Sequence, residues 1–429
     1  MLRERPHVLI VGAGIGGLST ALSLHAAGVT DRVQLVDASR RLRPLGAGIN
    51  LQPHAVRELT ELGLGDRLAA VSAEPQSLLF TDRHGNRIVA HPRGRHAGYA
   101  WPQVSVHRGD LQGVLLEAVH ERLGPTAVRT GLALEDYEER ADGVTARLRE
   151  RTADGDRAGA EVRLDADVLV GADGLYSAVR RHLHPGEGPP RWNGIRMWRG
   201  VTAAPAPLDG RTMVVAGSYQ PARIVVYPLG RGRVNWVAEA RAARPAALSD
   251  ADWSHEGRLA DVLPYYQDWR LDLDGIDVPG LLRGASRILE YPMVDRDPLD
   301  CWGRGPATLL GDAAHPMLPV GSNGGSQAVV DARVLARELA RRPDDPRAGL
   351  RAYETARRAP ANAIASACRD MALDRLLDTV AERAPEGFDR IAEVLTEAEL
   401  RVLRDTMRRT TDQDVSELNS RPSWSVRPG

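Results

Sequence analysis

The stretch HVLIVGAGIGGLSTALSLHAAG, from His7 to Gly28, admits few folds. Val8 to Val11 read as a buried strand, a glycine turn follows, and Leu18, Leu22 and Leu24 mark a helix that Gly28 can cap. A second apolar run, VQLVD, ends on Asp37. Strand, helix and strand in this order form a βαβ unit, the entry to a doubly wound sheet. No Asp, Glu, Lys or Arg occurs between His7 and Val29, a length that mimics a membrane span. The glycines lie mid-segment, where a spanning helix would lose most, so no membrane segment is expected.

Gly12-Ala13-Gly14-Ile15-Gly16-Gly17 satisfies GxGxxG directly after a strand and at the start of a helix. Gly12 permits the tight turn, Gly14 lets the backbone approach a pyrophosphate, and Gly17 allows close helix packing, with the helix amides facing the anion. Asp37 stands where an acid can accept hydrogen bonds from ribose hydroxyls. Together these predict a dinucleotide site. Two later strand ends also carry Gly and Asp: Val168 to Val170 leads into Gly171-Ala172-Asp173-Gly174, and ATLL into Gly311-Asp312. Asp312 suits a polyol hydroxyl, and free amides at Gly324, Gly325 and Ser326 can hold partial negative charge. The two strand ends can therefore converge on one extended cofactor.

Composition removes several alternatives. Formal net charge is -1, so the field expected of a nucleic-acid binder is missing and a small-molecule partner is expected. The chain has no lysine, so all 56 basic residues are arginine, and Walker-A, Schiff-base and lysine general-base chemistry drop out. Two cysteines, Cys301 and Cys368, are too few for a disulfide framework and fit a reducing, cytoplasmic setting. His182 and His184 lack a third ligand signal, so no metal is expected. Neither GxSxG nor HExxH occurs.

The order GxGxxG, then Asp173-Gly174 with Ser177 and Arg180, then Gly311-Asp312 resembles the single-component FAD-dependent aromatic hydroxylases of the para-hydroxybenzoate hydroxylase type, over residues 6 to 370. The stretches RPLGAGINLQP, VHRGDLQ, ADVLVGADG, MWRGV, YPMVDRDPL and LLGDAAH resemble the members that act on phenazine carboxylates. The resemblance implies that Gly12 to Gly17 and Asp37 bind the ADP half of FAD, Arg108 reaches the diphosphate or ribityl side, and Leu132 borders adenine. It also implies that Asp312 binds ribityl hydroxyls, that Pro319 and the amides of Gly324, Gly325 and Ser326 edge the isoalloxazine, and that Asp173 serves FAD and the nicotinamide donor. No second GxGxxG occurs, so NADH or NADPH would bind transiently on the FAD domain. In the family's chemistry NAD(P)H reduces FAD, oxygen adds at C4a, and the hydroperoxide delivers an electrophilic OH to an electron-rich ring. The loop departs from the family's P-x-x-G-Q-G-x-N at Ser322 and Ser326.

The resulting fold expectation is α/β: a Rossmann-like FAD-binding domain (residues 1–75, 103–188 and 283–372) with an inserted, mostly antiparallel substrate domain (76–102 and 189–282). C-terminal helices (373–411) and a loose tail (412–429) would follow. The spacing of Val56, Leu59, Leu62 and Leu64 predicts a short helix over Pro53 to Ala70, and acidic-glycine turns are expected at Asp142-Gly143 and Asp154-Gly155. Short alternating runs, IRMWRGV, RTMVVAG, ARIVVYP and RVNWVAE, supply the inserted sheet, with a polar helical region around Ala251 to Trp269. The substrate pocket would lie between flavin and sheet, lined by Gly48, Ile49, Trp198, Arg199, Tyr219 and Trp236, with Arg223 and Tyr227 as catalytic candidates. Arg196 and Arg199 are candidates to pair with a substrate carboxylate, and His315 is expected to pack against the loop. The expected reaction is hydroxylation of an aromatic carboxylic acid at or next to the carboxyl-bearing carbon, using NAD(P)H and O2, in specialised metabolism. Attack on that carbon expels CO2, which suits a phenazine carboxylate; attack beside it retains the acid, which suits an amino- or hydroxybenzoate. A non-catalytic FAD-binding sensor is the remaining alternative, and the sequence leaves monomer and homodimer open.

Overall fold

Val8–Val11 is buried throughout and lies inside a parallel sheet, between Val33–Asp37 and Val168–Gly171. Val128–Thr130 and Ala307–Leu309 extend this sheet in parallel, and Gly303–Arg304 closes one edge antiparallel. Helix Ile15–Ala26 makes the first crossover and packs against helix Gly324–Ala340. The predicted βαβ unit is therefore present, with its glycine turn between Val11 and the helix. The computed structural model describes residues 5–42, 46–152, 158–205, 208–243, 255–271, 273–274, 276–411 and 414–426.

A second sheet has seven strands in the order Ala285–Asp295, Arg191–Ala203, Arg233–Arg241, Ala222–Gly230, Thr212–Gly217, Ser77–Thr81 and Arg87–Pro92. All its pairs are antiparallel except Thr212–Gly217 with Ser77–Thr81. One face packs on a core that includes Trp198, Trp236, Tyr266 and Trp269. The opposite face turns toward the parallel sheet and the C-terminal helices. A smaller antiparallel sheet, Leu132–Glu139, Val144–Arg151 and Ala158–Ala166, turns at Asp142-Gly143. The second expected turn, at Asp154-Gly155, lies outside the described residues.

Several local expectations change. The helix expected over Pro53 to Ala70 is two, Pro53–Glu61 and Gly65–Ala69, broken where Gly63 adopts φ +75°. The helical region expected over 251–269 reduces to one α-turn, Leu259–Val262, and a short 3-10 turn, with 251–254 outside the described residues. The tail is not loose across residues 414–426: Val415–Ser420 is helical and Leu418 is buried. Arg57 donates to the carbonyls of Leu418 and Arg421, and the Trp424 ring meets the Arg337 and Arg421 guanidinium groups. Short segments held by cation–π contacts and side chain-to-carbonyl bonds carry no hydrophobic period, which is why the pattern did not reveal them. No helix of the described residues is long and apolar enough to cross a membrane.

Candidate active site

A cavity of about 1000 Å³ runs from the C-terminal ends of the parallel strands to the inner face of the seven-stranded sheet. At its first end the glycine turn divides its work. Gly12 has φ +103°, and a Cβ there would stand 2.3 Å from the Ala172 carbonyl oxygen; one on Gly17 would stand 1.9 Å from the Gly12 carbonyl oxygen. These two glycines bring strand, turn and helix together. Gly14 meets nothing within 4 Å and lines the cavity with Ile15 and Gly16, whereas Ala13 and Gly17 lie behind the lining. Asp37 accepts from the Ala13 and Ser39 amides, each at 2.8 Å, and leaves a lone pair on each oxygen at the cavity rim.

Further along, Arg108 is exposed at the start of helix Arg108–Leu123, and Leu132 follows Gly131, whose φ is +75°. Both line the cavity, as does Asp173. Asp173 accepts from the Ala178 amide through Oδ2, while its Oδ1 is buried without a hydrogen-bond partner among the described residues. Burial pushes its carboxyl above the ordinary range. Asp312 is reachable through the cavity, yet protein crowds it enough to raise its carboxyl pKa, with His315 and Arg108 acting the other way.

The loop from Pro319 ends on the N-terminus of helix Gly324–Ala340, whose first amides lack intrahelical partners. A Cβ on Gly324 would stand 3.6 Å from Asp312 Oδ1, so that carboxylate faces the helix start. Pro319, Gly324 and Gly325 line the cavity. Ser326 does not: its buried hydroxyl accepts from the Gln52 amide at 2.9 Å and ties the loop to strand Gly48–Leu51. Ser322 occupies the left-handed region at φ +58° with only a 3.5 Å bond from Asn50 Nδ2. Ser322→Gly is therefore expected to stabilise the protein by about 1 kcal/mol in urea denaturation. A destabilised variant would mean that the Asn50 contact outweighs the strain.

Behind the loop lies a buried polar chain. Asp331 accepts from the Gly311 amide at 3.1 Å and pairs with His315 Nε2 at 2.5 Å and Arg357 Nε at 2.6 Å. His315 thus does more than pack against the loop, because its contact with Asp331 helps to hold the carboxylate that accepts from the Gly311 amide. Arg357 Nη2 donates to Gln327 Oε1 at 2.6 Å, which turns the Gln327 amide nitrogen toward His54 Nε2 at 3.3 Å. His54 Nε2 must accept, so its ring is neutral. Burial, then the charges of Arg357 and Arg421, lower its pKa from 6.5 to about 3. A folded-state pKa below the unfolded value means that this stability is complete above pH 6.5 and is lost as pH falls toward 3. Acidification from pH 7.5 to 5 is expected to cost about 2 kcal/mol through this residue, and His54→Gln should flatten that part of the stability profile.

The sheet end follows the period-two rule. Met197 and Arg199, Met213 and Val215, Arg223, Val225 and Tyr227, and Val237 and Glu239 face the cavity. Residues of opposite parity, Trp198 and Trp236, face the other core at 0 % exposure, donating to Glu290 Oε2 and Thr202 Oγ1. Neither lines the cavity, contrary to expectation; adjacent Trp198 and Arg199 cannot both point inward from one strand. Tyr219 is also displaced, buried beneath the Arg223 guanidinium with its hydroxyl donating to Glu239 Oε2. Arg196 is committed to Glu290 at 2.5 Å. Arg199 does reach the cavity, where it donates to the Gly48 carbonyl beside Tyr227. Gly48 and Ile49 line it as expected. Arg223 lines the far end, but its guanidinium is bound by Glu239, Asp374 and the Tyr219 hydroxyl.

Arg93, Gln103 and Asp374 also line this end and were not anticipated. They come from segments distant in sequence, and only the parity of the strand residues Met197 and Met213 offered a signal. Among the described residues no group of three His, Cys, Asp or Glu is placed to hold a metal ion.

Comparison with known proteins fits this geometry. A family model described as an FAD binding domain matches residues 5–367. The phenazine 1,6-dicarboxylic acid hydroxylase PhzS of Lysobacter antibioticus is 47% identical, over 85% of this chain and 89% of its own length. The 3-hydroxybenzoate 6-hydroxylase 1 of Aquipseudomonas alcaligenes is 34% identical, over 82% and 84%. Klebsiella pneumoniae HpxO, solved with FAD and uric acid, shares the fold at TM-score 0.72 and 24% identity, over 94% of this chain and 96% of that one. With a family model spanning most of its length and a relative nearly half identical over most of both sequences, the chain belongs to the FAD-binding-domain family and is an FAD-dependent aromatic hydroxylase.

Proposed function

We propose that this enzyme uses NAD(P)H and O2 to hydroxylate a fused-ring aromatic carboxylic acid of the phenazine-carboxylate type, at or next to the carboxyl-bearing carbon. The observation that carries this reading is the long apolar sheet face at the end of the cavity. Tyr227 and Arg223 lie four residues apart on one strand, so the cavity-facing rows span about 14 Å, more than a single ring needs. Met197, Met213, Val215, Val225 and Val237 floor that length, and Arg199 and Arg93 supply cations at its side. The similarity to a phenazine dicarboxylic acid hydroxylase supports the same class. In this reading the protein acts in the cytoplasm.

The first part of the cavity fits FAD. Gly14 leaves room for a diphosphate at the start of helix Ile15–Ala26, Asp37 offers free lone pairs, and Asp173 Oδ1 is a buried acceptor awaiting a donor. Gly12 to Gly17 and Asp37 would hold the ADP half, Leu132 would border adenine, and Arg108 and Asp173 would face the diphosphate side. Asp312 would take the ribityl hydroxyls, with Pro319 and the amides of Gly324 and Gly325 against the ring and Ser326 acting through its tie to Gln52. Oxygen transfer is chemistry that the reduced cofactor supplies when bound. The chain's own residues orient the acid at Arg199, exclude water with the methionine and valine floor, and keep Tyr227 protonated, since burial raises its hydroxyl pKa. Segments 1–75, 103–188 and 283–372 would form the cofactor domain, apart from strand Ala285–Asp295, which pairs with Arg191–Ala203 and so joins 76–102 and 189–282 in the substrate wall.

Attack on the carboxyl-bearing carbon balances as ArCO2H + O2 + NAD(P)H + H+ giving ArOH + CO2 + H2O + NAD(P)+. Attack beside it retains the acid and releases only water. The test is a panel of phenazine-1-carboxylate, phenazine-1,6-dicarboxylate, 3-hydroxybenzoate and 3-amino-4-hydroxybenzoate, with NAD(P)H oxidation, product mass and CO2 followed together. A phenazine acid should accelerate oxidation at least about tenfold and yield a hydroxylated product. Faster turnover of a benzoate, with the carboxylate retained, would replace the phenazine reading. No acceleration by any acid would sink both.

A further inference from the structure

The far wall of the cavity has a composition that an aromatic-acid site does not require. Arg223 and Glu239 face each other across neighbouring strands, and Asp374 reaches the same wall from the first turn of helix Ala372–Arg383. All three side chains are more than nine-tenths buried. Four of the five Arg223 N–H donors are used: Nε and Nη2 donate to Glu239 Oε2, Nη1 to Asp374 Oδ1, and Nη2 also to the Tyr219 hydroxyl. One guanidinium thus faces two carboxylates, and it cannot receive a substrate carboxylate bidentately without breaking a buried pair. Asp374 Oδ2 is buried with no hydrogen-bond partner among the described residues. Such an acceptor costs free energy until a donor reaches it.

Resting on the reading of the cavity as the site of a fused-ring aromatic acid, we propose that Asp374, held by Arg223 and backed by Glu239, is a recognition subsite for a hydrogen-bond donor on the substrate, a ring hydroxyl or amine remote from its reacting carboxylate. The strand register sets the spacing. Arg199 pairs with Val237 and Val225 in one row, while Glu239 and Arg223 form the next, about 7 Å further along the strands. An acid seated at Arg199 with a donor at Asp374 is fixed in one of the two orientations that a long planar ring could otherwise take. Asp374 is a positioning and specificity residue in this proposal and takes no part in oxygen transfer.

The test is binding to the FAD-loaded protein without NAD(P)H, read by perturbation of flavin absorbance, with phenazine-1-carboxylate and its 6-hydroxy and 6-methoxy derivatives. The wild type should bind the hydroxy form about tenfold more tightly than the methoxy form. In Asp374→Asn the amide oxygen can stay on Arg223 and its NH2 then faces the cavity, so the preference should vanish or invert toward methoxy. An unchanged ratio in this variant, or no preference in the wild type, overturns the proposal. If Asp374→Asn fails to retain flavin, the wild-type ratio together with Glu239→Gln decides. If no phenazine binds, the same comparison of 3-hydroxybenzoate with 3-methoxybenzoate separates the two ideas. A hydroxy preference lost in Asp374→Asn would then uphold the subsite while the phenazine reading falls, and absence of binding on both scaffolds would end both.

Discussion

Gly14→Val is expected to give a folded protein that purifies without flavin, whereas Gly12→Ala is expected to lose flavin and fold together. The contrast follows from where a Cβ would go. At Gly14 there is no atom within 4 Å, and the backbone, at φ -77° and ψ -173°, is extended and open to a β-branched residue. The valine methyls would enter the cavity between the helix amides and the diphosphate that we propose they bind, so FAD affinity should fall by about a hundredfold or more. Stability of the apoprotein should change by less than about 1 kcal/mol. At Gly12 the added Cβ would sit 2.3 Å from a backbone oxygen on a residue with φ +103°, and that strain should cost about 3 kcal/mol or more. Flavin absorbance per protein and thermal unfolding of the two apoproteins check both halves. A yellow Gly14→Val protein with wild-type affinity would show that the cofactor does not pass over this turn.

How much was legible depended on whether a residue's role is local. The Gly12 to Gly17 turn is legible because strand, turn and helix are contiguous, even though the atom that a Gly12 Cβ would meet belongs to the distant Ala172. The pairing of Asp312 with the start of helix Gly324–Ala340 is nearly so, lying within fifteen residues. The sheet wall is different. Each strand offers two parities, and sequence alone does not say which one faces the cavity; choosing aromatic size over parity selected Trp198 and Trp236, which pack into the opposite core. Asp374 was invisible for another reason. Helix Pro346–Asp370 ends at Met371, which takes φ 47°, and this unmarked break redirects the next helix so that Asp374 reaches Arg223, 151 residues earlier. A left-handed methionine carries no glycine to announce it. The Ser326 side chain turns into the core and accepts from the Gln52 amide, a contact 274 residues apart in sequence that no local pattern signals.

The loop that carries Asp312 depends on a charge beneath it, and Asp331→Asn is expected to destabilise the protein by roughly 3–5 kcal/mol. Asp331 is fully buried and accepts at once from the Gly311 amide, His315 and Arg357. Asparagine keeps the shape but leaves the Arg357 guanidinium buried without its counter-charge and sets an NH2 against donors. The Gly311 turn should loosen with it, so flavin affinity should fall in the same variant, measurable by FAD titration beside urea denaturation. The pH dependence separates this effect from that of His54. Asp331's carboxyl is lowered from 3.8 to about 2, with His315 and Arg357 overcoming the opposing effect of burial. A lowered carboxylate contributes stability that is present above pH 3.8 and lost only as pH falls through about 2. The Asp331 carboxylate's own titration therefore adds nothing between pH 5 and 8, while the His54 contribution declines below 6.5 across the same interval. An Asp331→Asn protein that unfolds at the wild-type urea concentration and keeps wild-type FAD affinity would show that the Gly311 turn does not depend on this carboxylate.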